Sequence, residues 1–146
     1  MGIIKYQKYL DSHIGDLSNK TVVITGANSG IGFYAARLLA FKGARIIMAC
    51  RNLGRAEEAR KAIIEAIPHA RIEILIYDQA SLASIEQFAG ELTAKYPLIN
   101  GFVFNAGIFH PQKDAVTKDG YPLTIGTNYL GTFYLSELLR PYFAKM

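Results

Sequence analysis

The chain has 146 residues, of which 51% are apolar and 19% are charged, and its formal net charge is +4. This length predicts one domain, residues 1–146, with enough apolar side chains for an extensive core. The basic residues are scattered, so no run of them would follow the phosphates of a nucleic acid, and we expect no such partner.

The amino terminus does not have the pattern of a signal peptide, because Ile3-Ile4 is followed at once by Lys5. No apolar stretch approaches the ~20 residues that a membrane span needs. The single cysteine, Cys50, excludes a disulfide within the chain and lies in an apolar run, where we expect a buried thiol. We therefore predict a cytoplasmic protein without a membrane span. The three histidines form no metal-ligand cluster, and we predict no metal site.

After a polar lead over residues 1–20, the sequence alternates between short apolar strands and amphipathic helices. Strands are predicted over 21–25, 45–50, 71–77 and 98–104. In the helices between them, apolar residues recur at helical spacing: Ile31, Ala35, Leu38 and Leu39, then Ala56, Ala59, Ile63 and Ile67, then Leu82, Ile85, Ala89 and Leu92. Gly43 is placed to end the first helix in a left-handed conformation, and Ser81 to cap the third.

Continuous apolar strands that alternate with helices indicate an α/β fold, here a Rossmann-type doubly wound parallel sheet over residues 21–146. Right-handed crossovers favour the strand order 3-2-1-4 and place a ligand crevice between strands 1 and 4. The chain stops after the fourth strand and the helix that follows it, so we expect a truncated fold. Its fourth strand would then be an open edge of the sheet.

The last predicted helix, residues 122–145, is apolar on nearly all sides. Its middle contains Tyr129, Phe133, Leu135 and Leu138, interrupted by few charges. Such a helix must be covered on more than one face. One face can lie on the sheet, and for the other we predict a second copy in a homo-oligomer or a complementing chain. A segment missing from the truncated fold is the alternative.

The segment Thr25-Gly26-Ala27-Asn28-Ser29-Gly30-Ile31-Gly32 stands between the first strand and the first helix. Its three glycines allow a tight turn, close approach of a phosphate to backbone N–H groups, and close packing of helix on strand. The N–H groups around Ser29, Gly30 and Ile31 lie at the positive end of the helix dipole, and Asn28 and Ser29 add side-chain donors. The segment therefore predicts a site for the diphosphate of a dinucleotide.

The spacing Thr25-Gly26-x-x-x-Gly30-x-Gly32 resembles the cofactor fingerprint of the short-chain dehydrogenase/reductase family. Further landmarks follow in that family's order: Arg51-Asn52 after the second strand, Asp78 after the third, Asn105-Ala106-Gly107 after the fourth, and Asn128 in the last helix. The segments at 16–20, 119–121 and 128–131 are most similar to the retinol-dehydrogenase-like branch. The resemblance covers about residues 16–143.

The resemblance implies roles for several of these residues. Asp78 would contact the adenine, with the backbone of Tyr77 and Gln79 nearby. Asn105, Ala106 and Gly107 would border the adenosine ribose, and Asn128 would support a proton relay. Phe104 stands where the family has a second asparagine, which puts in doubt a hydrogen bond that normally steadies this turn.

Arg51 and Asn52 occupy the position that selects between the two nicotinamide cofactors. A carboxylate there accepts from a ribose 2′-hydroxyl and repels a 2′-phosphate. This chain has no acid at that position, and a guanidinium can bind phosphate oxygens with two N–H groups. We therefore predict NADP(H) in preference to NAD(H). Alternatively, Arg51 is a solvated cation and Asn52 a helix cap.

Catalysis in the family requires a serine and the pattern Tyr-x-x-x-Lys, in which the lysine lowers the pKa of the tyrosine. None of the nine tyrosines here has a lysine four residues later; Tyr142 and Lys145 are three apart. We expect these residues beyond Met146. The chain would be the NADP(H)-binding part of a short-chain oxidoreductase of the carbonyl reductase or alcohol dehydrogenase type, inactive alone. It could be a fragment, half of a split enzyme or a relic. A non-catalytic nucleotide-binding module that docks a partner is the alternative.

Overall fold

The computed structural model describes residues 4–145. The strands are β1 Thr21–Thr25, β2 Arg45–Cys50, β3 Arg71–Ile76 and β4 Gly101–Val103. The first four helices are α1 Ile4–His13, α2 Gly30–Phe41, α3 Leu53–Ala66 and α4 Leu82–Lys95. A continuous helical stretch follows β4, composed of α5 Leu123–Ile125, a π-helical segment Gly126–Gly131 and α6 Thr132–Phe143.

The four strands form one parallel sheet in the order β3-β2-β1-β4. In its centre, Ile24 of β1 lies beside Met48 of β2 and Val103 of β4. The predicted doubly wound sheet and its order 3-2-1-4 are therefore confirmed. Among the described residues, β4 pairs with β1 alone and forms one edge.

Alternate side chains of the strands point to opposite faces, which divides the core into two layers. Ile46 and Met48 pack with α2 and α3, whereas Ile47 and Ala49 pack with α4 and α6. Buried positions of the covering helices include Ala36, Ala40, Ala56, Ile63, Ile85, Phe88, Leu92, Leu135 and Leu139. Both faces of the sheet are covered, as its continuous apolar strands require.

Helix α1 lies within the stretch 1–20, which the sequence analysis describes only as a polar lead. Leu10 of this helix is buried, and Asp11 forms an ion pair with Lys42, which directly follows α2, at 3.1 Å between Oδ1 and Nζ. This helix is more polar on average than α2, α3 and α4, which is why the apolar pattern did not predict it.

Helix α2 approaches the sheet through its small buried residues, Gly32, Ala36 and Ala40. Ile31, the first residue of the predicted apolar repeat, is 83% exposed. Strand β4 is shorter at both ends than the predicted 98–104, since its ladder with β1 covers only Gly101–Val103. Gly43 has the expected left-handed conformation, with a φ of +94°.

Candidate functional site

A cleft of about 420 Å³ opens at the carboxyl ends of the four strands. Its walls come from the segments that directly follow each strand, together with residues from the start of the final helical stretch. They include Gly26, Asn28, Ser29, Ile31, Arg51, Asn52, Arg55, Asp78, Gln79, Asn105, Ala106, Gly107, Ile108 and Thr127. The structure therefore brings most of the predicted site residues together, whereas Gly30, Gly32 and Asn128 are not part of this lining.

The glycine-rich turn is pressed against the turn that follows β4. Gly26 has a φ of +66°, and a Cβ there would lie 3.1 Å from the Cα of Ala106. A Cβ on Gly32 would lie 2.5 Å from both the carbonyl oxygen of Gly26 and Nδ2 of Asn105. Side chains at these two positions would force the turns apart, so the cleft depends on their absence.

The start of α2 is open toward the cleft. Ser29 is the N-cap residue, yet its side chain makes no capping hydrogen bond. Gly30 has a φ of +54°, and no atom outside its neighbours lies within 4 Å of where its Cβ would be. The first N–H groups of a helix have no partner within the helix, so an anion that enters here would meet exposed donors. This geometry fits a diphosphate.

Two guanidinium groups border the cleft beyond β2. Arg51 and Arg55 are exposed, and neither forms an ion pair with a residue of the described chain. Oδ1 of Asn52 accepts a hydrogen bond from the backbone N–H of Arg55 at 2.9 Å and caps α3. The capping role considered for Asn52 is therefore present. Arg55 was not predicted; its position four residues after Arg51, in the first turn of α3, was the available indication.

Asp78 follows β3, lines the same cleft and already has hydrogen-bond and charge partners. Its Oδ1 accepts a hydrogen bond from the N–H of Ala80 at 3.0 Å, and its Oδ2 lies 3.4 Å from Nζ of Lys118. Lys118 offsets the charge of this carboxylate. The two arginines then remain uncompensated, and the cleft favours an anionic ligand.

The hydroxyl of Thr25 organises the turn after β4. Buried at the end of β1, its Oγ1 accepts hydrogen bonds from the N–H groups of Asn105 at 3.0 Å and Ala106 at 2.9 Å. Nδ2 of Asn105 donates back to the carbonyl oxygen of Thr25 at 3.0 Å. Phe104, which replaces the family's asparagine, instead places its ring 4.5 Å from that of Phe102. The sequence pattern places Thr25 in the first strand and in the glycine-rich segment, but it does not indicate the role of the hydroxyl.

The π-helical segment closes the far side of the cleft. Thr127 contributes to the lining, and its buried Oγ1 makes no hydrogen bond. Asn128 faces the loop after β4 and binds the backbone of Ile108. π-helical turns are rare and are frequently found at functional sites, which agrees with this position.

Cys50 lies at the bottom of the cleft and is buried. Burial raises the pKa of its thiol to about 11, although the backbone N–H groups of Ala27 and Asn28 act in the other direction. The thiol is therefore protonated and unreactive at neutral pH, as expected.

Within residues 4–145, no group of three or more His, Cys, Asp or Glu side chains is arranged to hold a metal ion. None of the described helices combines the length and the apolar character that crossing a bilayer requires.

Residues 20–146 match the family model for short chain dehydrogenases. The chain belongs to the short-chain dehydrogenase family. It is 44% identical over 125 residues to the human WW domain-containing oxidoreductase, covering 86% of this chain and 30% of that protein. It is 38% identical over 135 residues to mouse retinol dehydrogenase 14, covering 86% of this chain and 40% of that protein.

Solved structures agree with this assignment. A protein from Mycobacterium paratuberculosis superimposes with a TM-score of 0.76 and 37% identity, over 90% of this chain and 45% of that one. A putative short-chain dehydrogenase from Shigella flexneri, complexed with NADP, gives a TM-score of 0.73 and 26% identity, over 89% of this chain and 56% of that one. The chain thus spans 30–40% of the length of the curated relatives it matches here.

Proposed function

We propose that the cleft binds NADP(H) and that the chain is the cofactor-binding part of a short-chain oxidoreductase. One observation carries the proposal: the open start of α2 and the unpaired guanidinium groups of Arg51 and Arg55 line the same cleft. An ordinary diphosphate site needs only the helix start. The two additional cations suit a further phosphate group, separate from the diphosphate.

The proposed roles follow from these positions. Backbone N–H groups at Ser29, Gly30 and Ile31 would hold the diphosphate, and Arg51 with Arg55 would hold the 2′-phosphate. Asp78 and the backbone at Gln79 would contact the adenine, and the turn Asn105–Gly107 would border the adenosine ribose. The complexed NADP of the Shigella flexneri structure supports this proposal.

When bound, NADP(H) supplies or accepts a hydride, as in carbonyl reductases and alcohol dehydrogenases. The residues of this chain would bind and orient it. Asn128 would have a supporting role, because it holds the loop at Ile108. The printed sequence contains no Tyr-x-x-x-Lys pattern to deliver a proton, so we expect no turnover by these 146 residues alone.

A partner-docking role is the second candidate, and exposed apolar residues favour it. Tyr129 is 64% and Phe133 is 55% exposed on the final helical stretch, close in sequence to one another and with their rings stacked. The outer edge of β4 is open within the described chain. We propose that residues 122–145 contact a second copy or a complementing chain, in a cytoplasmic protein.

Calorimetric titration of the chain with NADPH and with NADH tests the cofactor proposal. We expect NADPH to bind more tightly than NADH. Arg51→Ala and Arg55→Ala should each lower the affinity for NADPH by about tenfold and leave the affinity for NADH nearly unchanged. Arg140→Ala is the control, because Arg140 is exposed on α6 and pairs with Glu137 away from the cleft. Equal affinities for the two nucleotides would contradict the 2′-phosphate role, and no binding would contradict the proposed function.

Sedimentation over a range of concentrations tests the docking role. We expect the unchanged chain to self-associate and Phe133→Asp to shift it toward monomer, because burying an unpaired charge opposes association. If the chain is a monomer at every concentration, a second copy is excluded and only the complementing chain remains as a partner. That partner is excluded as well if a chain carrying the carboxyl-terminal part of a short-chain dehydrogenase does not bind.

A further inference from the structure

Gln79 lines the cleft, and its carboxamide makes three hydrogen bonds. It is 6% exposed. Its Nε2 donates to the carbonyl oxygen of Ala106 at 3.0 Å and to that of Thr127 at 2.7 Å. Its Oε1 accepts a hydrogen bond from the hydroxyl of Tyr77 at 3.0 Å. Both amide hydrogens are used, and a flipped carboxamide would set an oxygen against two carbonyl oxygens.

These bonds join segments that are distant in the chain. Gln79 follows β3, Ala106 lies in the turn after β4, and Thr127 lies in the π-helical segment, 48 residues from Gln79. Ala106 and Thr127 both line the cleft. One side chain therefore sets the distance between two parts of the cleft wall.

The close approach of the π-helical segment to Gln79 requires a glycine. A Cβ on Gly131 would collide with the carbonyl oxygen of Gln79. In the π-helical segment, which departs from regular α-helical hydrogen bonding, the carbonyl oxygen of Thr127 has a partner outside the helix. Gln79 supplies such a partner at Thr127, one residue before Asn128.

We propose that Gln79 is a positioning residue for cofactor binding. Its carboxamide holds the turn after β4 and the π-helical segment in the relative position that the cofactor requires, without its side chain having to touch the cofactor. The inference rests on the proposed function, because it assigns Gln79 a role at the same cleft. It differs from the role implied by the family resemblance, which concerns the backbone near Asp78.

Two substitutions separate hydrogen bonding from shape. Gln79→Met has a similar length and no donors, so both carbonyl oxygens lose their partner at every pH. Gln79→Glu can donate one hydrogen when protonated and none when ionised, and its carboxylate would then face two carbonyl oxygens. The matched controls are Gln87→Met and Gln87→Glu, since Gln87 is exposed on α4 away from the cleft.

The experiment measures the dissociation constant for NADPH across a pH series for the chain and all four variants, on samples whose circular dichroism confirms the fold. We expect Gln79→Met to raise the dissociation constant for NADPH by about tenfold at every pH. The dissociation constant of Gln79→Glu for NADPH, divided by that of the unchanged chain, should rise with pH because the introduced carboxyl loses its proton. The Gln87 variants should match the unchanged chain throughout.

Each outcome decides the proposal. If the unchanged chain binds NADPH and Gln79→Met binds it equally well, the positioning role is wrong while the proposed function stands. If the ratio of the Gln79→Glu dissociation constant to that of the unchanged chain does not change with pH, the positioning role is also contradicted. If Gln79→Glu does not fold, the Gln79→Met comparison alone decides. No binding by the unchanged chain would overturn both the proposed function and this inference.

Discussion

Asn128 and Ile108 form a closed pair of hydrogen bonds across 20 residues of sequence. Nδ2 of Asn128 donates to the carbonyl oxygen of Ile108, and the N–H of Ile108 donates to Oδ1 of Asn128, both at 2.8 Å. The side chain thereby satisfies both backbone groups of one loop residue, as a neighbouring strand would. This contact joins the π-helical segment to the loop after β4, at the border of the cleft.

Replacing Asn128 with alanine removes both bonds at once. We expect the free energy of unfolding to fall by about 1–2 kcal/mol, since each net hydrogen bond contributes roughly 1 kcal/mol. Urea unfolding of Asn128→Ala measures this loss, with Asn19→Ala, at an exposed position near β1, as the control. A loss no larger than that of the control would show that the pair does not stabilise the fold.

Thr25→Val keeps the shape of a buried side chain and removes its hydroxyl. The N–H groups of Asn105 and Ala106 would then lose their acceptor. We expect a loss of about 2–4 kcal/mol in the free energy of unfolding, because buried donors would remain unsatisfied. Thr25→Ser retains the hydroxyl and should lose less. Equal losses for the two variants in urea unfolding would contradict the role given to the hydroxyl.

Gly32→Ala tests the close contact between α2 and the turn at Gly26. The added Cβ would lie 2.5 Å from the carbonyl oxygen of Gly26, and we expect a destabilisation of about 2–3 kcal/mol. Gly90→Ala is the matched control, since Gly90 lies in α4 with no atom within 4 Å of its Cβ position. It should stabilise by about 0.5–1 kcal/mol, as alanine favours helix. Thermal unfolding that showed the same sign for both would refute this account.

The carboxyl of Glu73 predicts a pH dependence of stability. Burial raises its pKa, but hydrogen bonds from Tyr96 and Lys95 and the charges of Lys95 and Arg45 outweigh burial and hold the pKa below its ordinary 4.5. A group whose pKa is lowered on folding stabilises the fold above its unfolded pKa and loses that contribution as the pH falls through its folded pKa.

We therefore expect Glu73→Gln to be less stable than the unchanged chain at neutral pH, by no more than about 1 kcal/mol because the site is partly solvated. The difference should shrink as the pH falls below 4.5. Urea unfolding between about pH 3 and pH 7 checks this. The control is Glu91→Gln at an exposed site on α4. A difference that persists unchanged in acid would contradict the assignment.

Cys50 should resist thiol reagents while the protein is folded. Its thiol is buried, and burial raises its pKa to about 11, so little thiolate is present at about pH 8. We expect slow labelling of the native chain and rapid labelling in urea, where the thiol is exposed. Rapid labelling without denaturant would mean that the bottom of the cleft opens readily.

The apolar pattern was sufficient to predict the sheet. The runs at Thr21–Thr25 and Arg45–Cys50 coincide with β1 and β2, and the alternation of strands and helices predicted the order of the strands. These features depend on residues that are neighbours in sequence or one helical turn apart, so their period is visible in the chain. The glycine-rich turn was recognisable for the same reason.

The cleft wall depended on contacts that have no local pattern. Thr25 bonds to Asn105 across 80 residues, and Gln79 bonds to Thr127 across 48. Nothing in the neighbourhood of a threonine or a glutamine indicates which distant backbone group it will satisfy. Such partners are determined when packing excludes water and each buried polar group needs a hydrogen bond. The sequence therefore indicated which residues line the cleft, whereas the shape of the cleft was determined only by the tertiary structure.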